Sequence, residues 1–485
     1  MTALQVSWPL ITATIGLVTS IIATGHAIIY KRDSRAAIAW VGLIWLVPFV
    51  GTALYVLLGI NRVRRRASGL RNPYGQPRDG SANNGTYPPS GDQSAFLADD
   101  HRHLSGMIRL AGKLTRFPLL MGNRVEPLRN GDEAYPAMID AIDGAERSVS
   151  MCTYIFDNDA VGRRFVDALA RAVGRGVEVR VLVDAAGARY SMPPITNDLR
   201  RSGVPSARFM SGLLTWRTPY MNLRNHRKVL VVDGMVGFTG GINIRAGHVI
   251  ADGHAHPTSD THFRVDGPVV SQLQHVFADD WEFTTGEAIA GDRWFPAIAL
   301  RDGPVAARVI RDGPDHDLDR MTMAFQGALA VAKDSVRIVT PYFLPDRALI
   351  SALNMCALRG VRVDIVLPQE NNLKLVAWAA MAQMWQVLEW GCRVWMTRAP
   401  FDHSKLMVVD DALSLIGSSN WDPRSLRLNF ELGVECYSTD LARRLNEQID
   451  IGLVNAHELT LREVNARTLP IKLRDGVVRL AAPYL

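Results

Sequence analysis

Cysteine is scarce in this chain. Its four copies among 485 residues, Cys152, Cys356, Cys392 and Cys436, form no C-x-x-C pair and no cluster of metal-ligand spacing. That excludes a disulfide-stapled scaffold and the common zinc modules, and predicts reduced, buried thiols. Lys and Arg are absent from the first seven residues, so the positive start of a cleaved secretory signal is missing. No basic tract interleaved with aromatics occurs, which counts against nucleic acid as a partner. A net charge of +6 and a pI near 9.2 still favour something anionic, which a phospholipid surface or a nucleic acid would satisfy equally. Apolar residues are plentiful at 48%, enough to bury two domain-sized cores and more.

Part of that apolar content is concentrated at the start. Trp8 to Tyr30 and Ala36 to Ile60 are uncharged and mostly apolar, with Lys31-Arg32-Asp33-Ser34-Arg35 between them. Each is long enough to cross a hydrocarbon core of about 30 Å. A retained transmembrane hairpin is expected over residues 1–66, with Trp8, Tyr30, Trp40 and Tyr55 as interfacial anchors or as packing between the helices. Arg62, Arg64, Arg65 and Arg66 follow the second span, with Arg71 and Arg78 behind them, and point everything downstream to the cytoplasm of a multi-pass plasma-membrane protein. The same cluster suits anionic headgroups, at about 1 kcal/mol per residue. Residues 67–95 read as a flexible linker, dominated by Gly, Pro, Ser, Asn and Asp.

A duplicated motif dominates the remainder. His226-Arg-Lys228, Asp233, Gly240-Gly241 and Asn243 recur as His403-Ser-Lys405, Asp410, Gly417-Ser418 and Asn420, and every matched pair is 177 residues apart. One H-x-K-x4-D is a weak pattern; two in register, each followed by the same Gly and Asn, describe two halves of one site. The Val-, Leu- and Met-rich segments His226 to Val232 and His403 to Val409 predict buried strands. On a strand, residues i and i+2 share a face, so each histidine and its lysine point together. Two imidazoles and two ammonium groups around one cavity suit a phosphodiester. The lysines would neutralise its oxygens, and Asn243, Asn420, Gly241 and Ser418 would contact the phosphate. One neutral histidine can attack phosphorus while the other, protonated, gives its proton to the leaving alkoxide. By strand parity Asp233 and Asp410 face away, as structural anchors rather than chemical groups. A histidine nucleophile needs a carboxylate to fix its tautomer, and the candidates are Asp260 and Glu431.

Around these motifs strands alternate with helices. Val149 to Phe156, Val161 to Gly174 and Val177 to Val183 read as strand, helix and strand, repeated in Val336 to Phe343, Arg347 to Leu358 and Val361 to Leu367. The expected fold is α/β: a transmembrane hairpin, then two pseudo-symmetric domains, 96–295 and 296–485, with the active site at their seam.

Several of these residues carry a family resemblance. The paired H-x-K-x4-D elements with trailing G-[GS]-x-N resemble the phospholipase D superfamily. Arg224-Asn225-His226-Arg227-Lys228, Pro341 to Asp346, Gly417 to Ser425 and Asn429-Phe430-Glu431 make the chain similar to its bacterial cardiolipin synthases. The resemblance runs over nearly the whole chain. It implies phospholipase D-like domains and transfer without metal or other cofactor, through a phosphatidyl-histidine on His226 with His403 as general acid. One departure is Ile244-Arg245-Ala246-Gly247-His248, where the family usually places an aspartate and a tyrosine.

Other features read as ordinary. His248, His254, His256 and His262 crowd one stretch without zinc-type spacing and are expected to be structural or solvated. Trp378, Met381, Trp385 and Leu388 recur at helical spacing and predict a core helix, with a membrane-contacting one as the minor reading. Leu213, Leu214, Trp216, Tyr220 and Met221 suit either the interface or packing beneath the first motif. The leading expectation is a membrane phosphatidyltransferase joining two phosphatidylglycerols into cardiolipin and releasing glycerol. The alternatives are a phosphodiesterase hydrolysing phospholipid, less readily nucleic acid, and a membrane scaffold with a dead site. The pattern names no oligomeric state.

Overall fold

The computed structural model describes residues 2–31, 34–59, 94–210, 223–297 and 303–482. The arginines from Arg62 to Arg78, almost all of the expected linker and the stretch Leu213 to Met221 lie outside the described residues. The N-terminal helices belong to one compact unit, and the described chain from Ser94 onward belongs to another.

In the first unit, Thr2–Tyr30 is a single helix of 29 residues, and its Trp8–Tyr30 portion is long and apolar enough to cross a bilayer. Ile15, Ile21, Ile22, Ile28 and Ile29 are exposed on it. Apolar surface of this kind is unfavourable in water by about 25 cal/mol per Å² and suits lipid contact. The expected second span is interrupted. Ser34–Leu46 and Pro48–Leu54 are separate helices, followed by one wide turn at Tyr55–Gly59. The break falls at Val47 (φ −139°, ψ 78°), because the Pro48 ring excludes helical geometry from the residue before it. Trp40 and Tyr55 pack within this unit. Tyr55 is buried, its hydroxyl 2.8 Å from His26 Nδ1, and the Trp40 ring meets it edge-on at 5.4 Å.

Among the described residues the second unit is built on a mixed sheet of 16 strands, beside a separate two-stranded pairing. In its first half Ser148–Thr153 pairs parallel with Glu178–Asp184 and antiparallel with Val229–Val232. In its second half Ser335–Val339 repeats this with Arg362–Pro368 and Leu406–Val409. The halves join where Leu120–Arg129 runs antiparallel to Val305–Asp312, so one sheet continues through both. Alternation along each motif strand divides the core. Val229 and Val231, with Leu406 and Val408, enter an apolar cluster shared by both halves. Leu230 and Val232 enter a cluster of the first half, Met407 and Val409 one of the second.

The motif strands begin three residues later than expected, at Val229 and Leu406. His226 to Lys228 and His403 to Lys405 lie just outside the ladder because their backbones cross to the opposite half. His226 N donates to Phe430 O (2.9 Å), and His403 N to Ser259 O (2.7 Å).

The expected core helix around Trp378 is also different. It consists of Lys374–Met381 and the single turn Trp385–Leu388, with Val376, Ala379 and Ala380 buried on the first piece. Trp385 is exposed, and Trp378 is capped by the Arg474 guanidinium at 4.0 Å. Helix Leu469–Leu480 is turned inside out. Its only acid, Asp475, is buried against Arg467 (2.6 Å) and Arg474 (2.7 Å), while Leu469, Leu473, Val477 and Leu480 face outward.

Candidate active site

Both histidine–lysine pairs are buried in the second unit. Lys228 Nζ donates to the carbonyl of its own histidine at 2.7 Å, and Lys405 Nζ does the same to His403 O. Among the described residues neither lysine pairs with a carboxylate, and Lys405 Nζ lies 2.9 Å from His403 Nδ1.

Each histidine is held by a carboxylate from the opposite half. His226 Nδ1 lies 3.0 Å from both oxygens of Glu431, and His403 Nδ1 lies 2.8 Å from Asp260 Oδ2. Nδ1 of each ring is turned to its carboxylate, that of His403 also lying 2.9 Å from Lys405 Nζ, so Nε2 is the nitrogen left for chemistry on each ring. The crossing is reinforced by short parallel pairings between the halves, Arg224–Asn225 with Asn429–Phe430 and Phe401–Asp402 with Thr258–Ser259.

Glycine is required where the motif strands end. Gly240 (φ 147°) and Gly417 (φ 151°) have left-handed backbone, and a Cβ on Gly417 would sit 2.1 Å from Leu432 O. A Cβ on Gly241 would sit 2.3 Å from Asp260 Oδ1. Gly241 and Ser418 both lie against the carboxylates. Gly241 makes room for Asp260, and the Ser418 hydroxyl donates to Glu431 at 2.5 Å. Ser425 donates to Glu431 at 2.5 Å and Asn429 at 3.1 Å, so four side chains converge on that carboxylate. Asn243 and Asn420 are buried at matched positions. Asn243 Oδ1 accepts from Ile155 N (3.1 Å), which leaves its NH2 end as the donor.

Asp233 and Asp410 occupy left-handed turns (φ 53° and 49°) just past the motif strands. Asp233 accepts from the N–H groups of Glu146, Arg147 and Ser148; Asp410 accepts from those of Lys333, Asp334 and Ser335. His103 Nε2 adds a 2.7 Å contact to Asp410 alone. Two histidines of the crowded stretch hydrogen-bond to backbone atoms. His248 Nδ1 donates to Thr258 O (3.1 Å) and His254 Nδ1 accepts from His256 N (3.1 Å).

The motif reading left the role of Arg227 unassigned. It is fully buried, pairs with Asp280 at 2.6 Å, and reaches Glu431 O (2.9 Å) and Asp312 O (3.0 Å), tying the two halves beneath His226. The signal available in sequence was a cation between His and Lys on the opposite parity, beside a buried strand.

Electrostatics divide the site unevenly. Burial lowers His226 to about 4, opposed by Glu431 and deepened by Lys228. Burial, then Lys405 and Lys228, hold His403 well below the usual imidazole range. Burial brings Lys228 down to about 7 against Glu431, and Lys405 to about 8 against Asp260. Burial pushes Asp260 up to about 6, opposed by Lys405. For Glu431 burial also pushes upward, but His226, Lys228 and Ser418 together hold it below the ordinary glutamate range. An empty site therefore presents neutral imidazoles and labile ammonium groups, which an incoming phosphate anion would stabilise in their charged form.

Repeated halves, one shared sheet and a crossed pair of carboxylate-backed histidines define a phospholipase D-like α/β protein. Residues 138–281 and 326–451 match a family model described as "Cardiolipin synthase, PLD-like domain", and residues 18–59 match one described as "Phospholipase D-nuclease N-terminal". The chain belongs to the cardiolipin synthase family. A cardiolipin synthase of Alkalihalophilus pseudofirmus is 30% identical over 481 residues, 99% of this chain and 95% of that protein. Cardiolipin synthase A of Pseudomonas putida is 30% identical over 96% of each chain. The crystal structure of phosphatidylserine synthase from Haemophilus influenzae Rd KW20 superposes with a TM-score of 0.59 at 15% identity, covering 78% of this chain and 100% of that one. That likeness speaks for the fold.

Proposed function

We propose that this chain is a membrane-associated phosphatidyltransferase that makes cardiolipin from two phosphatidylglycerols and releases glycerol. The observation that carries the reading is the crossed site: two His/Lys pairs, each imidazole backed by a carboxylate of the other half. His226 Nε2 attacks phosphorus of the first lipid, the bond from phosphorus to the glycerol headgroup oxygen breaks, and His403, which takes up a proton when the phosphate anion binds, gives that proton to the leaving oxygen. The hydroxyl of the second lipid then loses its proton to His403 and attacks phosphorus. The P–N bond breaks and His226 is restored. Lys228, Lys405, Asn243 and Asn420 hold the reacting phosphate, with charge developing on its oxygens in the transition state.

The assignment of His226 as nucleophile rests on its carboxylate. Glu431, satisfied by four side chains, stays ionised and steadies the imidazole as it becomes cationic. Asp260, pushed up to about 6, backs the histidine that must both release and take a proton. Phospholipid at a bilayer is the proposed partner, and nucleic acid is excluded from the proposal. The apolar Trp8–Tyr30 helix supports membrane attachment. The arginines after the second apolar segment support a multi-pass plasma-membrane protein with its catalytic body on the cytoplasmic side.

Radiolabelled phosphatidylglycerol in mixed micelles, with EDTA, tests the reading. Labelled cardiolipin with free glycerol, lost in His226→Ala and His403→Ala, is the expected result. Phosphatidic acid as the sole product would replace transfer by hydrolysis, and no turnover of phospholipid would end the proposal.

A further inference from the structure

The proposed reaction brings two phosphodiesters together, each with one negative charge. Lys228 and Lys405 are buried against the two histidines and serve the phosphate that reacts. The second lipid's phosphate stays intact, one glycerol away from the attacking hydroxyl, and needs a cation of its own. The halves supply one at a position where they differ in charge. Two residues beyond the matched asparagines, the second half carries Asp422, buried and capping helix Pro423–Arg427 by accepting from Ser425 N at 2.8 Å. The first half carries Arg245 there, extended (φ −165°, ψ 152°) and with its side chain 40% exposed.

We infer that Arg245, steadied by Asp157, binds the intact phosphate of the acceptor lipid and so selects an anionic acceptor over water or a neutral alcohol. This rests on the transferase reading above. Two extended segments fix the location. Asn243 Oδ1 is hydrogen-bonded to Ile155 N, and one step farther along, Arg245 Nε meets Asp157 Oδ2 at 3.1 Å. Residues i and i+2 of an extended segment share a side, which places Arg245 beyond the Asn243 amide. The turn that follows, Ala246–His248, sets the His248 ring 6.4 Å from the His403 ring. Arg245 therefore stands on the His403 side, where the acceptor hydroxyl must lose its proton. Its positive charge is among the influences that lower His403.

A half-exposed ion pair is by itself worth little. Two details argue for more than that here. Arg245 meets Asp157 through Nε, which leaves the terminal NH2 groups as a fork for phosphate oxygens. The Asp157 side chain is only 11% exposed against 40% for Arg245, so the accessible member of the pair is the cation.

The test is a competition within one sample. Full-length protein in mixed micelles receives labelled phosphatidylglycerol and ethanol, and the ratio of cardiolipin to phosphatidylethanol is measured. The ratio is independent of the amount of active enzyme. Arg245→Ala should lower it about 10- to 100-fold, the range for loss of a charge-assisted contact, while phosphatidylethanol formation persists. Arg245→Lys should recover part of the loss. An unchanged ratio in Arg245→Ala would overturn the subsite, whether total activity fell or not. Wild-type enzyme that forms phosphatidylethanol and phosphatidic acid without cardiolipin would sink the cardiolipin-forming reading itself.

Discussion

Glu431 gathers His226, Ser418, Ser425 and Asn429 on one carboxylate, whereas Asp260 takes His403 Nδ1 and the backbone N–H of Thr261. The consequence is opposite charge behaviour in two groups of one chemical type: Glu431 is held low and Asp260 is pushed up to about 6. The residue between His and Lys differs in the same sense. Arg227 forms a buried ion pair with Asp280 and hydrogen bonds to Glu431 O and Asp312 O of the other half, while Ser404 in the matched place meets the Thr261 hydroxyl at 3.2 Å. Duplication supplied two matched His/Lys sets, and their surroundings differ. A symmetric site would offer two equivalent bases; this one offers a persistent anion behind one imidazole and a titratable acid behind the other.

The comparison breaks most completely at the histidines. His226→Ala and His403→Ala should each reduce turnover by about 10⁴-fold or more, the scale seen when a member of a catalytic unit is removed. They should differ in a single-turnover experiment with acyl-labelled lipid. His403→Ala retains the nucleophile and should leave label on the protein, while His226→Ala should leave none. Label trapped only by His226→Ala would reverse the assignment.

The carboxylates come next. Glu431→Gln and Asp260→Asn should each cut kcat by about 10²- to 10⁴-fold by releasing the tautomer, with Glu431→Gln the more severe. Equal losses would mean that the extra donors around Glu431 have no kinetic role.

A pH profile sharpens the difference. Transfer requires Asp260 ionised and the lysines protonated, so kcat/KM should rise as Asp260 loses its proton near 6 and fall as Lys228 and Lys405 lose theirs near 7 and 8. The maximum should lie between these limits. Asp260→Asn should abolish the acid limb, and Glu431→Gln should preserve it. An acid limb that survives in Asp260→Asn would assign it to another group.

The smallest effects belong to the turn aspartates. Asp233→Ala should cost about 1–3 kcal/mol of stability, because three backbone N–H groups lose their acceptor. Asp410→Ala should cost more, since Asp410 is buried and also holds His103. Thermal unfolding of both variants, beside kcat at low temperature, tests this; a loss of kcat in a variant that unfolds like wild type would give these aspartates a chemical role.

Much of this protein was determined by its sequence alone. The 177-residue repeat announced two halves, the His/Lys spacing placed both reactive groups, and the alternation of apolar runs indicated an α/β body, since each depends on local spacing. The long apolar start likewise announced a helix fit for a bilayer, but Pro48 divided the second apolar run, a one-residue effect within a uniformly hydrophobic stretch. Pairings between distant segments were decided only by the tertiary structure. Asp260 was recognisable as a histidine's carboxylate, yet nothing local indicates that it serves His403, 143 residues away, or that Glu431 serves His226 across 205. Ser418 matched a phosphate contact in the linear motif, and its bond to Glu431 exists because Asn429–Tyr437 is laid beside Leu413–Gly417. The cause is one of range: backbone period and side-chain type act over a few residues, whereas the partner of a buried charge is set by which strands a continuous sheet brings into register.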